Sequence, residues 1–215
     1  MLQTQVLETA TLELLKSLQA KDYLLGFNLA GGTALSLYYG HRKSIDLDLF
    51  SNQSFDAVQL LENLQQDYPI QLFFTSPSTI KGSIKGVNVD FIAHRYPDLR
   101  PPLNLSGLTV FSEEDILAMK LNAISVSGQR SKDFVDICFA LEYFRLGEIL
   151  RFYREKYQQR DSTHVLKSLV FFDDVDLSDW PILLKQPNLN WTKVKITIEK
   201  AVLNFIKTEG KGSRE

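Results

Sequence analysis

Three carboxylates carry the chemistry this sequence offers. Asp46 and Asp48 stand in SIDLDLF, alternating with Ile45, Leu47 and Leu49, and Asp90 stands in VNVDFIA among Val87, Val89 and Phe91. An unpaired carboxylate is expensive to bury, so acids set into apolar strands require a compensating partner. Side chains alternate across a strand, which predicts Asp46 and Asp48 on one face, roughly 6–7 Å apart, with Ile45, Leu47 and Leu49 turned to the core. With Asp90 added from a neighbouring strand, the three make an oxygen-rich pocket suited to Mg2+ or Mn2+. The competing explanation is a structural strand whose acids are simply paired.

A second group lies upstream in LAGGTAL. Here a strand is predicted to end at Gly31-Gly32 and a helix to start at about Thr33. Glycines let a phosphate approach backbone amides closely, and a helix N-terminus adds partial positive charge. The Thr33 hydroxyl can donate. Arg42, in GHRKS just before the acids, either binds a phosphate through its guanidinium fork or pairs with a core acid. A glycine pair alone is more often a plain turn. Metal-bound phosphates on one side and an amide cradle on the other describe a nucleoside triphosphate site.

The elements that must hold these groups follow from periodicity. Val6 to Leu18 reads as an amphipathic helix, LLGFNLAGG as a strand, TALSLYYG as a short helix ended by Gly40, and SIDLDLFS as a strand. SFDAVQLLENLQQD reads as a helix capped by Ser54. IQLFFTS and TIKGSIKGVNVDFIAH add strands, the latter two joined by a Lys85-Gly86 turn. After the proline-bearing YPDLRPPLN, helices dominate: SEEDILAMKLNAISVSG with Ser112 and Asp115 in a capping-box arrangement, RSKDFVDICFALEYF, two from Gly147 to Phe171, and a last one from about Thr192 to Lys207. The terminal GKGSRE is predicted to fray. The fold class is α+β, a mixed sheet with flanking helices followed by a helical C-terminal half, and the boundary gives domains 1–105 and 106–215.

Composition excludes several classes. The 215 residues are 44% hydrophobic and 23% charged, with a formal net charge of -2, so no global pull toward nucleic acid or anionic membranes exists. The single cysteine, Cys138, rules out an internal disulfide and a multi-cysteine zinc site. It sits in FVDICFAL as an expected core thiol. No signal-peptide pattern or membrane span is legible, which predicts a cytoplasmic protein without a membrane partner.

Taken together, the glycine pair, the spacer of twelve residues between Thr33 and Asp46, the D-x-D and the later single Asp resemble the polymerase-beta-like nucleotidyltransferase superfamily. GGTALSLYYGHRKSIDLDLF, with MKLNAISVSGQRSKDFVDICFAL downstream, is similar to the AbiEii/AbiGii toxin family of nucleotidyltransferases over about Phe27 to Leu141. The resemblance implies metal-dependent transfer of a nucleoside monophosphate from a nucleoside triphosphate to an acceptor, notably RNA at the tRNA 3′ end. It also implies a toxin role beside a cognate antitoxin. Within it, Asp46, Asp48 and Asp90 are metal ligands and catalytic residues, with Asp90 the general base. Gly31, Gly32, Thr33 and Arg42 hold phosphates.

Four residues in the helical half belong to the second motif. Lys120 lies one helical turn from Ile116 and from Ile124, so its stem borders apolar surface. It is either a snorkelling surface lysine or, as the resemblance implies, a group that reaches the triphosphate. Lys132 and Asp133 are read with it as cofactor-binding; Asp133 and Asp136 share a helix face beside Lys132, either orienting Lys120 or His41-Arg42, or forming a solvated charged face. Arg151, Arg154, Lys156 and Arg160 form a basic run, read as solvated surface or as an RNA-backbone contact.

Other D-x-D enzymes fit less well. Glycosyltransferases place the motif after about a hundred residues of nucleotide-binding fold, and haloacid-dehalogenase phosphatases need Thr or Val where Phe50 stands. The alternative is a degenerate, non-catalytic nucleotide-binding or partner subunit, against which the presence of all three acids weighs.

Overall fold

The computed structural model describes residues 2–212, so that Ser213–Glu215 of the terminal GKGSRE lie outside the described residues. The chain divides into two compact units, Met1–Ser112 and Glu113–Glu215.

The first unit contains helix α1 (Thr9–Gln19), strand β1 (Asn28–Leu29), helix α2 (Gly31–Tyr39), strand β2 (Leu47–Ser51) and helix α3 (Ala57–Asp67). Strands β3 (Ile70–Ser76), β4 (Thr79–Ile84), β5 (Val87–Ala93), β6 (Leu103–Leu105) and β7 (Leu108–Val110) follow. All seven join one mixed sheet in the order β3-β4-β5-β2-β1-β7-β6. β2 and β5 are parallel neighbours, and the rest of the β3-β4-β5 stretch is antiparallel. One sheet face is dry, because Leu47 and Leu49 of β2 and Val89 and Phe91 of β5 are fully buried.

Local chemistry explains the boundaries. The β4–β5 hairpin turns at Lys85 and Gly86, with φ of 51° and 81°. That pair of positive values is the two-residue turn whose twist suits a hairpin. α3 is capped by Asp56, whose carboxylate accepts from the amides of Val58 at 2.9 Å and Gln59 at 3.1 Å, and not by Ser54. Both residues can cap, but only Asp56 sits where its oxygen meets the second and third amides of the helix.

Three further expectations change. β1 is only two residues long, and α2 starts at Gly31 and not at Thr33. The SIDLDLFS strand begins at Leu47, so Ile45 lies before the ladder and is 57% exposed instead of facing the core. Alternation predicts a face only where strand pairing fixes the pleat.

The second unit is helical: α4 (Glu113–Val126), α5 (Ser131–Ala140), α6 (Leu146–Tyr157), α7 (Thr163–Leu169) and α8 (Trp191–Gly212). α4 packs against α6, α7 and α5. Cys138 is a buried core thiol, as its setting predicts, and burial pushes its pKa up, away from thiolate chemistry. The basic run is not a continuous surface. Lys156 is fully buried in an ion pair with Asp115, their atoms 2.6 Å apart, and Arg160 lies past the end of α6. No helix among the described residues is long and apolar enough to cross a membrane.

Candidate active site

Strand register brings the carboxylates together. Asp48 and Asp90 are direct partners across the parallel β2–β5 pair, and partnered residues show their side chains on the same face. Both are half-buried, opposite to the dry face. Asp46 precedes β2, and its carboxylate accepts from Asn88 Nδ2 at 3.0 Å. Asn88 lies two residues before Asp90 on β5 and so shares its face, and Asp46 reaches toward the same side.

A residue outside the sequence motifs joins them. Lys81 of β4 is the register partner of Asp90, and its ammonium lies 2.5 Å from Asp90 Oδ2. Its signal was present in the chain: counting back across the two-residue Lys85-Gly86 turn pairs 84 with 87 and therefore 81 with 90. The same row continues to Phe74 on β3.

Gly31 serves the acids directly. A Cβ built on it would stand 1.9 Å from Asp48 Oδ2 and 2.8 Å from its carboxyl carbon, and its φ is +66°. The Asp48 carboxylate therefore rests against the first turn of α2, in space that only glycine leaves open. Gly31→Ala is expected to displace that carboxylate and to slow the nucleotide transfer that the motif resemblance implies by about a hundred-fold, the usual effect of an ångström-scale misplacement. The left-handed backbone adds a stability loss of about 1–2 kcal/mol. Transfer rates and a urea titration measure the two effects; a variant unchanged in both would show that Gly31 does not position Asp48.

Thr33 and Arg42 are tied inward. The Thr33 hydroxyl donates to the Asp46 carbonyl oxygen and lies 2.7 Å from Ser44 Oγ. Arg42 is buried and donates through Nη1 to the Lys43 carbonyl at 3.1 Å and to Ser44 Oγ at 3.4 Å. This chain of bonds fastens residues 42–46 to α2 and so fixes where the D-x-D begins. Gly32 is buried in the same first turn.

The remaining predicted residues lie in the second unit, where Lys120, Asp133 and Asp136 are joined to one another. Lys120 Nζ is 2.5 Å from Asp133 Oδ1 and 2.9 Å from Asp136 Oδ2, and all three side chains are buried. Lys120 is thus neither a snorkelling surface lysine nor part of a solvated face. Lys132 pairs with Asp179.

Two side-by-side carboxylates with a third nearby form an all-oxygen donor set, which fits a hard divalent cation. Among the described residues no three His, Cys, Asp or Glu side chains converge closely enough to hold one by themselves. Mg2+ does not need such a cage, since it commonly takes one or two carboxylates and completes its shell with water and substrate phosphates. The Lys81 ammonium beside Asp90 shows that this pocket accepts positive charge.

The sequence matches the family model "Nucleotidyl transferase AbiEii toxin, Type IV TA system" over residues 13–97 and 67–203. The chain belongs to the AbiEii nucleotidyltransferase family. A relative, the "Uncharacterized protein aq_aa25" of Aquifex aeolicus (strain VF5), is 34% identical over 154 residues, spanning 69% of this chain and 74% of that one. Among solved structures, JHP933 from Helicobacter pylori superposes with a TM-score of 0.56 at 17% identity, over 96% of both chains. ANT(2″)-Ia, solved in complex with adenylyl-2″-tobramycin, gives a TM-score of 0.50 at 16% identity, over 74% of this chain and 99% of that one. These likenesses establish the nucleotidyltransferase fold, and the AbiEii motif block GGTALSLYYGHRKSIDLDLF coincides with the α2–β2 segment built around Asp48.

Proposed function

We propose that this protein moves a nucleoside monophosphate from a nucleoside triphosphate to an RNA acceptor, with the tRNA 3′ end as the foremost candidate. In the cell it would act as the toxin of a type IV pair, restrained by a cognate antitoxin. The observation that carries the reading is the Asp48–Asp90 pair, set in register on parallel strands and backed by Gly31 at the start of α2.

In this reading Asp48 and Asp90, with Asp46 beside them, hold Mg2+ or Mn2+, whose charge when bound offsets that of the triphosphate. Asp90 also takes the proton of the acceptor hydroxyl as the new O–P bond forms and pyrophosphate departs. The Gly31 and Gly32 amides at the head of α2 face the phosphates. Thr33 and Arg42 act by fixing the segment that delivers Asp46 and Asp48. Family membership supports the transferase chemistry.

The test is incubation with each of the labelled triphosphates in turn, Mg2+, and bulk cellular RNA or protein. Label from one triphosphate is expected to appear in RNA. Label moving only into protein or a small molecule would overturn the RNA acceptor, and label moving nowhere would overturn the transferase reading. Expressing the protein alone should slow growth, while its Asp48→Ala variant should not.

A further inference from the structure

The half-buried face that carries the acids does not end with them. Two residues along each strand lies a second row: Phe50 of β2 is the register partner of Ile92 on β5, and Ile92 of Thr79 on β4. Past the end of β5 the parallel pattern continues, because the His94 amide donates to the Ser51 carbonyl at 2.7 Å. Alternation therefore returns His94 to the face of Asp90 and Ile92.

There the rings form a series. The Phe50 and His94 centroids are 5.9 Å apart, and those of His94 and Tyr96 are 4.9 Å apart. Tyr96 is 43% exposed, and Arg95 and Arg100 on the same segment are exposed. Two residues of strand span about 7 Å, so the aromatic series begins one or two nucleotides away from the acids. Stacking faces beside exposed arginines are what single-stranded nucleic acid binds, since every base has a π-face and every linkage a negative charge. The dry face of the same sheet offers nothing comparable.

We propose that Phe50, His94 and Tyr96 form the stacking surface that receives the terminal bases of a single-stranded RNA acceptor. The inference rests on the reading that the acceptor is RNA. It adds which residues present the acceptor end to Asp48 and Asp90, and that they do so by ring stacking without base-specific hydrogen bonds.

The test uses the full chain and two readouts: anisotropy of a fluorescent oligouridylate of about eight nucleotides, and label transfer to RNA over a range of RNA concentrations. Tyr96→Leu keeps apolar bulk but removes the ring. It is expected to weaken oligonucleotide binding about ten-fold and to raise the KM for RNA by a similar factor, with kcat and the KM for the triphosphate unchanged. Tyr96→Phe should restore what Tyr96→Leu loses, and His94→Ala should repeat the loss. A Tyr96→Leu variant that binds the oligonucleotide as the unaltered protein does would overturn the proposal. So would a loss that falls on the triphosphate KM, which would assign the rings to the nucleotide base. If the oligonucleotide binds in a ring-dependent way but no label enters RNA, the surface stands and only the transfer reading falls. If the unaltered protein does not bind the oligonucleotide, the surface falls even where transfer to another acceptor is found.

Discussion

Alanine at Asp48 or at Asp90 is expected to abolish nucleotide transfer while leaving folding stability within about 1 kcal/mol of the unaltered protein. In the proposed reading the two effects separate because these acids serve the reaction more than the fold. Asp48 and Asp90 are register partners on adjacent strands, so two like charges stand side by side and repel each other. Removing one relieves that repulsion. Losing Asp90 also frees Lys81, but the lysine side chain is 44% exposed and can return to water, so the lost pair costs little.

The proposed reaction, by contrast, would lose an oxygen ligand at the point where charge on the phosphates must be offset. That contribution is worth several kcal/mol, or roughly a thousand-fold in rate for every 4 kcal/mol. Labelled-triphosphate assays beside urea titrations of both variants measure the pair of effects. Full activity in a well-folded Asp48→Ala or Asp90→Ala protein would end the assignment of these acids to the chemistry.

The second large effect concerns stability alone. Lys156→Met is expected to destabilise the second unit by about 3–5 kcal/mol, a large share of the roughly 5–15 kcal/mol that holds a domain together. Lys156 and Asp115 are both fully buried, with the ammonium 2.6 Å from the carboxylate. Methionine fills the stem's volume but takes the ammonium away from a buried carboxylate. The double variant Lys156→Met/Asp115→Leu removes both charges and is expected to recover most of the loss, because burying an ion pair gains little over burying apolar groups. Both tryptophans, Trp180 and Trp191, belong to the second unit, so their fluorescence follows its unfolding in urea. Equal losses in the single and double variants would show that packing, not charge, is what Lys156 supplies.

The sequence by itself determined the kind of chemistry and most of the elements. The alternation from Leu47 to Ser51, the Lys85-Gly86 turn, the glycine pair that opens α2 and the amphipathic helices are local features. Side-chain period and backbone sterics fix them within a few residues. Family membership was legible for the same reason, since its motifs are contiguous runs.

Tertiary structure alone decided the rest, because it depends on which distant segments meet. Nothing in residues 44–51 tells that β2 lies parallel to β5, or that Asp48 rather than Asp46 falls opposite Asp90. That register is set by closing a loop of some forty residues over a shared core. The hairpin register that aligns Lys81 with Asp90 was within reach of the chain, but its meaning required Asp48 on the other side. The charged residues of the helical half show the same divide. Lys120, Asp133, Asp136, Asp115 and Lys156 have the composition of a solvated surface, yet all are buried. A charge can enter a core when its partner arrives from another helix to meet it, and one helix's periodicity carries no record of that partner.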